Sequence, residues 1–336
     1  MSLSENHDRA ARAAARLAPA PVSLMLRQGQ GGNNRLYRVT TGDGRHYALK
    51  WYARPPGDTR DRLGTEWAAL DFLGRHGLEQ VPRAIAADAA DGFALYEWIE
   101  GTAVGEPDTK DIEAALAFAH RLHDLRKMDG ADQLPLASEA CLTLAELLAQ
   151  IERRLSRLTE VAAEHPDLSR FLNEDFSPRH HRLVDRAGTA GKVTTAPLPK
   201  EHRTLSPSDF GFHNALRRPD GSLVFLDFEY FGWDDPVKLV ADFQQHPGMT
   251  LPISLARRFA QGAGALYADP GYAERLAATA PLFALRWCLI LLNEFLPERW
   301  HNRHFAGHGD DRRRAMRSQL AKARSHLRQH ATDEAP

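Results

Sequence analysis

The chain has 336 residues, 43% of them hydrophobic and 26% charged, and a formal net charge of −1. That length is too great for one small core and predicts two lobes or domains. The near-neutral balance excludes the basic excess of a typical nucleic-acid binder. The two cysteines, Cys141 and Cys288, stand in apolar helical contexts and are expected to be reduced core residues of a cytoplasmic protein. The N-terminal ENHDRAARAAARLAPAP has no apolar segment of the secretory type. The longest unbroken apolar run, residues 288–292, is far short of the roughly 20 residues of a membrane span, so no membrane association is expected.

In chain order, residues 5–18 read as an Ala/Arg-rich helix closed by Pro19 and Pro21. Residues 22–26 read as a strand. Tyr37 and Val39 alternate with polar neighbours, Thr41-Gly42-Asp43-Gly44 marks a hairpin turn, and residues 47–51 complete a second strand. At 58–76 the period changes: Leu63, Trp67, Leu70, Phe72 and Leu73 fall on one helical face, with Gly77 as the stop. Residues 81–87 and 93–98 are strand-like again across Asp91-Gly92. After Gly101 the pattern turns helical, over 109–127 and 141–163. Residues 177–203 show no clear period and are expected to be a loop. A hairpin around Pro219-Asp220-Gly221 follows, then helices at 237–246, 251–267, 271–301 and 309–330. The basic tail is read as a solvated terminal helix, with contact to an anionic partner as the alternative. The fold class is therefore α+β: an antiparallel-sheet lobe over residues 1–100 and a mainly helical lobe over 101–336.

The chemistry concentrates at a few spacings. Lys50 ends a strand that follows a Gly-rich turn, where Gly29, Gly31, Gly32, Asn33 and Asn34 let the backbone close over phosphates. Glu66, on the next helix, is the expected counter-charge that keeps Lys50 protonated and aimed. Asp209 and Asn214 flank Phe-Gly-Phe-His, and the Pro-Asp-Gly turn folds the chain so that Asn214 and Asp227 come together. Oxygen-only ligands of this kind suit Mg²⁺. Asp209, on the loop just before, is placed to accept a hydroxyl proton during phosphoryl transfer. His120 and His123 share a helix but lack a third ligand nearby, and His180, His181 and His202 are expected to be exposed; none is read as a metal site.

These residues resemble the aminoglycoside phosphotransferase and choline kinase superfamily, small-molecule kinases with a protein-kinase-like two-lobe fold. The resemblance covers about residues 20–300. It rests on Tyr-Ala-Leu-Lys50, Glu66, Leu95-Tyr-Glu-Trp-Ile-Glu-Gly101, Ala119-His-Arg-Leu-His123, Asp209, Asn214, Leu226-Asp-Phe-Glu229 and Gly232-Trp-Asp-Asp-Pro236. It implies ATP and Mg²⁺ as cofactors, Asp209 as base, Asn214 and Asp227 on the metal, and Lys50 on the phosphates. It also implies that residues 1–100 bind the nucleotide, with the backbone of Glu97 and Ile99 meeting adenine, and that residues 101–336 carry catalysis and the acceptor. Glu229 is expected near the metal or the substrate. Asp234, Glu294 and Trp300 are expected on the acceptor side, with Glu294 and Glu298 on one helix face if Pro297 does not break it. The acceptor is expected to be a small hydroxylated molecule: an amino sugar, a sugar or an amino alcohol. The family usually has His two residues before the catalytic Asp, where this chain has Pro207. A degenerate nucleotide-binding regulator is therefore the alternative reading.

Overall fold

The computed structural model describes residues 3–29, 34–52, 60–189, 196–267, 269–300 and 311–332. The chain opens with α1 (Leu3–Leu17), whose Ala10, Ala13 and Ala14 fall on one helical stripe and are fully buried. That stripe lies on a five-stranded antiparallel sheet made of β1 (Val22–Gln28), β2 (Arg35–Thr41), β3 (His46–Trp51), β4 (Ala84–Asp88) and β5 (Phe93–Glu97), in the order β1-β2-β3-β5-β4. Because side chains alternate along a strand, Tyr47, Leu49, Trp51, Phe93 and Leu95 pack against α1. Ala48, Ala94 and Tyr96 take the other face and join the main core. Arg16 pins α1 to the β4–β5 turn through Asp88 at 2.8 Å and Asp91 at 2.7 Å. Helix α2 (Arg62–Arg75) is capped by Asp61, which accepts from the Gly64 N–H at 2.9 Å, and it turns Leu63, Glu66, Leu70 and Leu73 inward.

Beyond β5 the chain crosses to the helical part. Strand β6 (Thr102–Ala103) pairs with β8 (Ala215–Arg217), which pairs with β9 (Leu223–Phe225). The crossing is tight at Gly101, where a Cβ would stand 2.8 Å from the Arg217 carbonyl oxygen. Helices α3 (Thr109–Leu125) and α4 (Leu144–Ala162) each start with a full capping box, Asp108/Asp111 and Thr143/Glu146. A second small sheet pairs β7 (Thr204–Ser206) with β10 (Gly232–Asp234). Helices α7 (Pro236–Gln245), α8 (Ile253–Leu266) and α9 (Tyr272–Leu291) complete the core, and α10 (Arg312–His330) closes it.

Two expectations need correction, and one helix needs comment. Much of the stretch expected as a loop is helix: α5 (Pro166–Arg170) continues through a π-helical turn, Phe171–Phe176, into α6 (Ser177–Thr189). Apolar anchors Phe176, Leu183 and Ala187 hold it, and the Ser/His/Arg-rich sequence between them hid the period. The terminal helix α10 is not solvated all round, since Leu320, Ala323 and Leu327 bury one face. The stretch Tyr272–Phe295 is long and apolar enough to cross a membrane by composition (mean hydropathy 1.6), but 61% of its apolar window is buried inside the fold. It is the central core helix, and its Arg286 is neutralised by Asp242 at 2.9 Å.

Candidate active site

The cleft between the sheet and the helices is organised by Lys50. Its position on β3 puts its ammonium on the face opposite Leu49, toward the cleft. Nζ donates to Glu66 Oε2 at 2.6 Å and to Asp227 Oδ1 at 2.5 Å, and lies 3.8 Å from Glu229. Glu66 is 4% exposed and held from three sides: by Lys50, by the Tyr52 hydroxyl at 2.6 Å, and by the Phe228 N–H at 3.3 Å. Burial opposes the charge on Lys50, but Asp227, Glu66 and Glu229 outweigh it and raise its pKa well above the ordinary value. Asn34, at the end of the Gly-rich turn, donates to buried Glu229, tying the turn to the helical part. Gly29 has a φ of +27°; Gly31, Gly32 and Asn33 lie outside the described residues.

The hairpin folds as its Pro-Asp-Gly turn predicts. Gly221 takes a φ of +86°, Arg218 N–H reaches Ser222 O at 2.8 Å, and Leu226 N–H reaches Asn214 O at 2.8 Å. Asn214 thereby stands beside Asp227, which takes a left-handed φ of +66°. Asn214 Nδ2 donates to the Asp209 carbonyl at 3.0 Å, which orients the amide. Glu66, Asp227 and Glu229 offer carboxylate oxygens within 4.8 Å of one another. Burial raises the Asp227 pKa to about 7; Lys50 opposes this, while Glu229 and Glu66 add to it. An all-oxygen donor set with more carboxylates than ammonium groups fits a hard divalent ion such as Mg²⁺.

Asp209 stands on the loop between β7 and β8. Its Oδ1 accepts from His213 Nε2 and from His246 Nε2, each at 3.0 Å. The two imidazoles stack with centroids 3.7 Å apart and planes 1° from parallel, and Trp287 meets His246 edge-on at 4.4 Å. Burial alone would raise the Asp209 pKa, but the two histidine hydrogen bonds hold it well below the usual carboxylate range. Both imidazoles engage Oδ1, and neither engages Oδ2.

Pro207 is accommodated by a different brace. Ser208, at φ +67°, donates its N–H to Ser206 Oγ at 3.0 Å and its hydroxyl to Ser138 O at 3.0 Å. Lys238, 1% exposed, donates to Ser208 Oγ at 3.1 Å and is ion-paired with Asp242 at 2.9 Å and Asp234 at 3.3 Å. Asp234 is therefore a strut beneath the loop and not an acceptor-side acid. Pro297 does break the helix: Glu294 is buried in the 3₁₀ turn Leu292–Phe295, whereas exposed Glu298 pairs with Arg157. Neither Glu294 nor Trp300 lines the cavity of about 680 Å³ beside His246. At the linker, the Glu97 N–H is engaged by Arg83 O at 2.9 Å, and Ile99 is buried.

The sequence reading missed Tyr52, His213, His246 and Lys238. The acids at i−4 and i+4 of Lys238, in the otherwise apolar PVKLVADF, were a legible sign of a buried ion network. Nothing in the sequence joins His246 to Asp209. His123 is half-buried on Thr204 and Tyr267, and His120 is exposed beside Asp124.

Residues 26–278 match the model of a phosphotransferase enzyme family. The chain belongs to that family. Among curated proteins, the chain is 32% identical over 190 residues to the EKC/KEOPS complex subunit BUD32 of Chaetomium globosum. The match covers 52% of this chain and spans 64% of the length of that relative. Among solved structures, it is similar to a choline/ethanolamine kinase family protein from Mesorhizobium loti, with a TM-score of 0.59 and 18% identity over 97% of this chain and 95% of that one. Spectinomycin phosphotransferase APH(9)-Ia, solved with ADP and spectinomycin, gives a TM-score of 0.63 and 12% identity over 95% and 98%. At such identities the structural likeness is one of fold, the two-lobe fold of small-molecule kinases.

Proposed function

We propose that this phosphotransferase moves the γ-phosphoryl group of ATP to a hydroxyl of a small molecule, with Mg²⁺ as the divalent ion. The observation that carries the reading is the convergence of Lys50 on Glu66 and Asp227 from opposite sides of the cleft, at 2.6 and 2.5 Å. In this reading Lys50, held charged by Glu66, binds nucleotide phosphates, and the Gly-rich turn ending at Asn34 closes over them. The linker at Glu97 and Ile99 receives adenine. Asn214 Oδ1, Asp227 and Glu229 would hold the metal, which when bound neutralises charge on the phosphate oxygens. Asp209 orients the acceptor hydroxyl and takes its proton at Oδ2. Its depressed pKa makes it a weak base, and in phosphoryl transfer positioning outweighs basicity.

Acceptor-dependent ADP release, measured with and without Mg²⁺, tests this. The expected result is turnover that requires Mg²⁺ and disappears in Asp209→Asn while ATP still binds. Unchanged turnover in that variant removes Asp209 from the role of base. ATP binding without turnover on any acceptor favours a non-catalytic nucleotide-binding regulator instead.

A further inference from the structure

The cavity of about 680 Å³ shares His246 as a wall with the catalytic loop, so it opens one imidazole away from Asp209. Its floor comes from the end of α7 and from α10. Gln244, Gln245 and His326 are 8%, 5% and 6% exposed. Gln244 Nε2 donates to Ala256 O at 3.2 Å and Gln245 Nε2 to Ala280 O at 3.1 Å, which orients both amides. Their Oε1 atoms, and His326 Nε2, have no hydrogen-bond partner. Buried polar atoms are rarely left in this state, because each loses its hydration without replacement. All three belong to residues that line one cavity, and a ligand that brings donors satisfies them once those side chains turn toward it. The rim has a definite sign: Arg257 and Lys322 are exposed at the cavity, and no described Asp or Glu lines it.

We propose that this chamber binds a hydroxylated anion, a molecule with several hydroxyls and one carboxylate or phosphate group. Its hydroxyls donate to Gln244, Gln245 and His326, and its anionic group sits between Arg257 and Lys322. Carbonyl oxygens alone would accept an ammonium as readily as a hydroxyl. The rim decides between them, since a cationic acceptor would meet two like charges with no carboxylate to offset them. The amino sugars and amino alcohols expected from the sequence are the class this lining rejects. The inference deepens the kinase reading and rests on it only for the fate of the hydroxyl that reaches Asp209.

The test uses the full-length protein and a matched six-carbon set: gluconate, glucose 6-phosphate, glucose and glucosamine. Equilibrium binding is measured without nucleotide, then ADP release with ATP and Mg²⁺. The anions are expected to bind about tenfold more tightly than glucose, with glucosamine weakest and the preference shrinking as salt is raised. The order of gluconate and glucose 6-phosphate reports whether carboxylate or phosphate is preferred. Arg257→Glu combined with Lys322→Glu, at two exposed positions, is expected to invert the charge preference, with thermal unfolding run in parallel. Glucosamine binding as tightly as the anions, a preference indifferent to salt and to charge reversal, or no binding by any member at about 10 mM would each overturn the proposal. Anion binding without ADP release from any member supports the chamber and counts against the kinase reading, so the two fail separately.

Discussion

Two lysines lie among buried acids in this protein, and their surroundings differ in balance. Lys50 is shared by Glu66, Asp227 and Glu229, with Arg62 contributing from 3.9 Å to Glu229. Those groups come from β3, α2 and the loop after β9, on both sides of the cleft. Lys238 faces Asp234 and Asp242, and Arg286 completes the set on Asp242, giving two cations for two anions within the helical part. The acids respond to burial and to these partners, and Asp234 in the second cluster is raised by burial despite Lys238. Burial raises Asp227, with Lys50 opposing and Glu229 and Glu66 adding. Burial also works against Asp242, but Arg286 and Lys238 outweigh it and hold that carboxyl below its ordinary pKa. A balanced cluster inside one body is a brace. A cluster with surplus carboxylate, straddling two bodies, is shaped to take positive charge from a ligand and to respond to it.

The largest expected effect is catalytic. Asp209→Asn is expected to lower phosphoryl transfer by about 10²–10⁴-fold, the usual contribution of a positioned proton acceptor, with nucleotide affinity by calorimetry unchanged. The next tests the comparison directly. Lys238→Met leaves Asp234 and Asp242 short of a cation and is expected to cost about 3–5 kcal/mol in urea unfolding, with or without Mg²⁺. Lys50→Met also destabilises, but there Mg²⁺ is expected to restore much of the loss, because the acids it leaves behind can take the ion. Equal rescue of both variants, or of neither, breaks the distinction between brace and receptor.

His246→Ala comes next. It removes one of the two donors on Asp209 Oδ1, a hydrogen bond to a charged group worth about 1.5–3 kcal/mol. The expected outcome is a kcat lowered roughly tenfold with the KM for ATP unchanged. A change in ATP KM alone would place His246 outside the acceptor half of the cleft.

What could be read in advance follows the range of the interactions. The sheet lobe was legible because its strands alternate and its turns carry Gly and Asp. The Asn214–Asp227 approach was legible because a Pro-Asp-Gly turn dictates it. Lys50 and Glu66 are 16 residues apart, and their 2.6 Å contact follows from a strand and a helix that each declare an inward face. Asp209 and His246 meet only because α7 ends beside the loop that carries Asp209, a placement set by packing of Phe243 on Phe210 and Phe259 that no local pattern encodes. The acceptor side was not legible for the same reason. Glu294 and Trp300 were chosen by residue type, and neither lines the cavity beside His246, whose mixed lining of Gln, His, Arg and Lys with Met249, Leu251, Ile253 and Leu291 comes from α7, α8, α9, α10 and the segment between α7 and α8.

A buried ionisable group can also be held with no partner charge, and His326 tests that third case. Burial, with smaller contributions from His330 and His246, lowers its pKa from 6.5 to about 3. Between those values the unfolded chain binds a proton that the folded protein does not. Stability therefore rises with pH through this window, is complete above the ordinary histidine pKa, and is lost as pH falls toward the folded value. One such proton sets a slope of at most about 1.4 kcal/mol per pH unit. His123, lowered to about 4 by burial and Arg126, contributes a similar slope, so the useful quantity is a difference between proteins. His326→Gln keeps a polar group of similar size and cannot titrate. Urea midpoints for wild type and His326→Gln, followed from about pH 7 down to about pH 5, are expected to diverge, with the variant losing less stability. Parallel curves would mean that His326 is protonated in the folded state, and the floor of the chamber would then carry a third positive charge instead of a neutral imidazole.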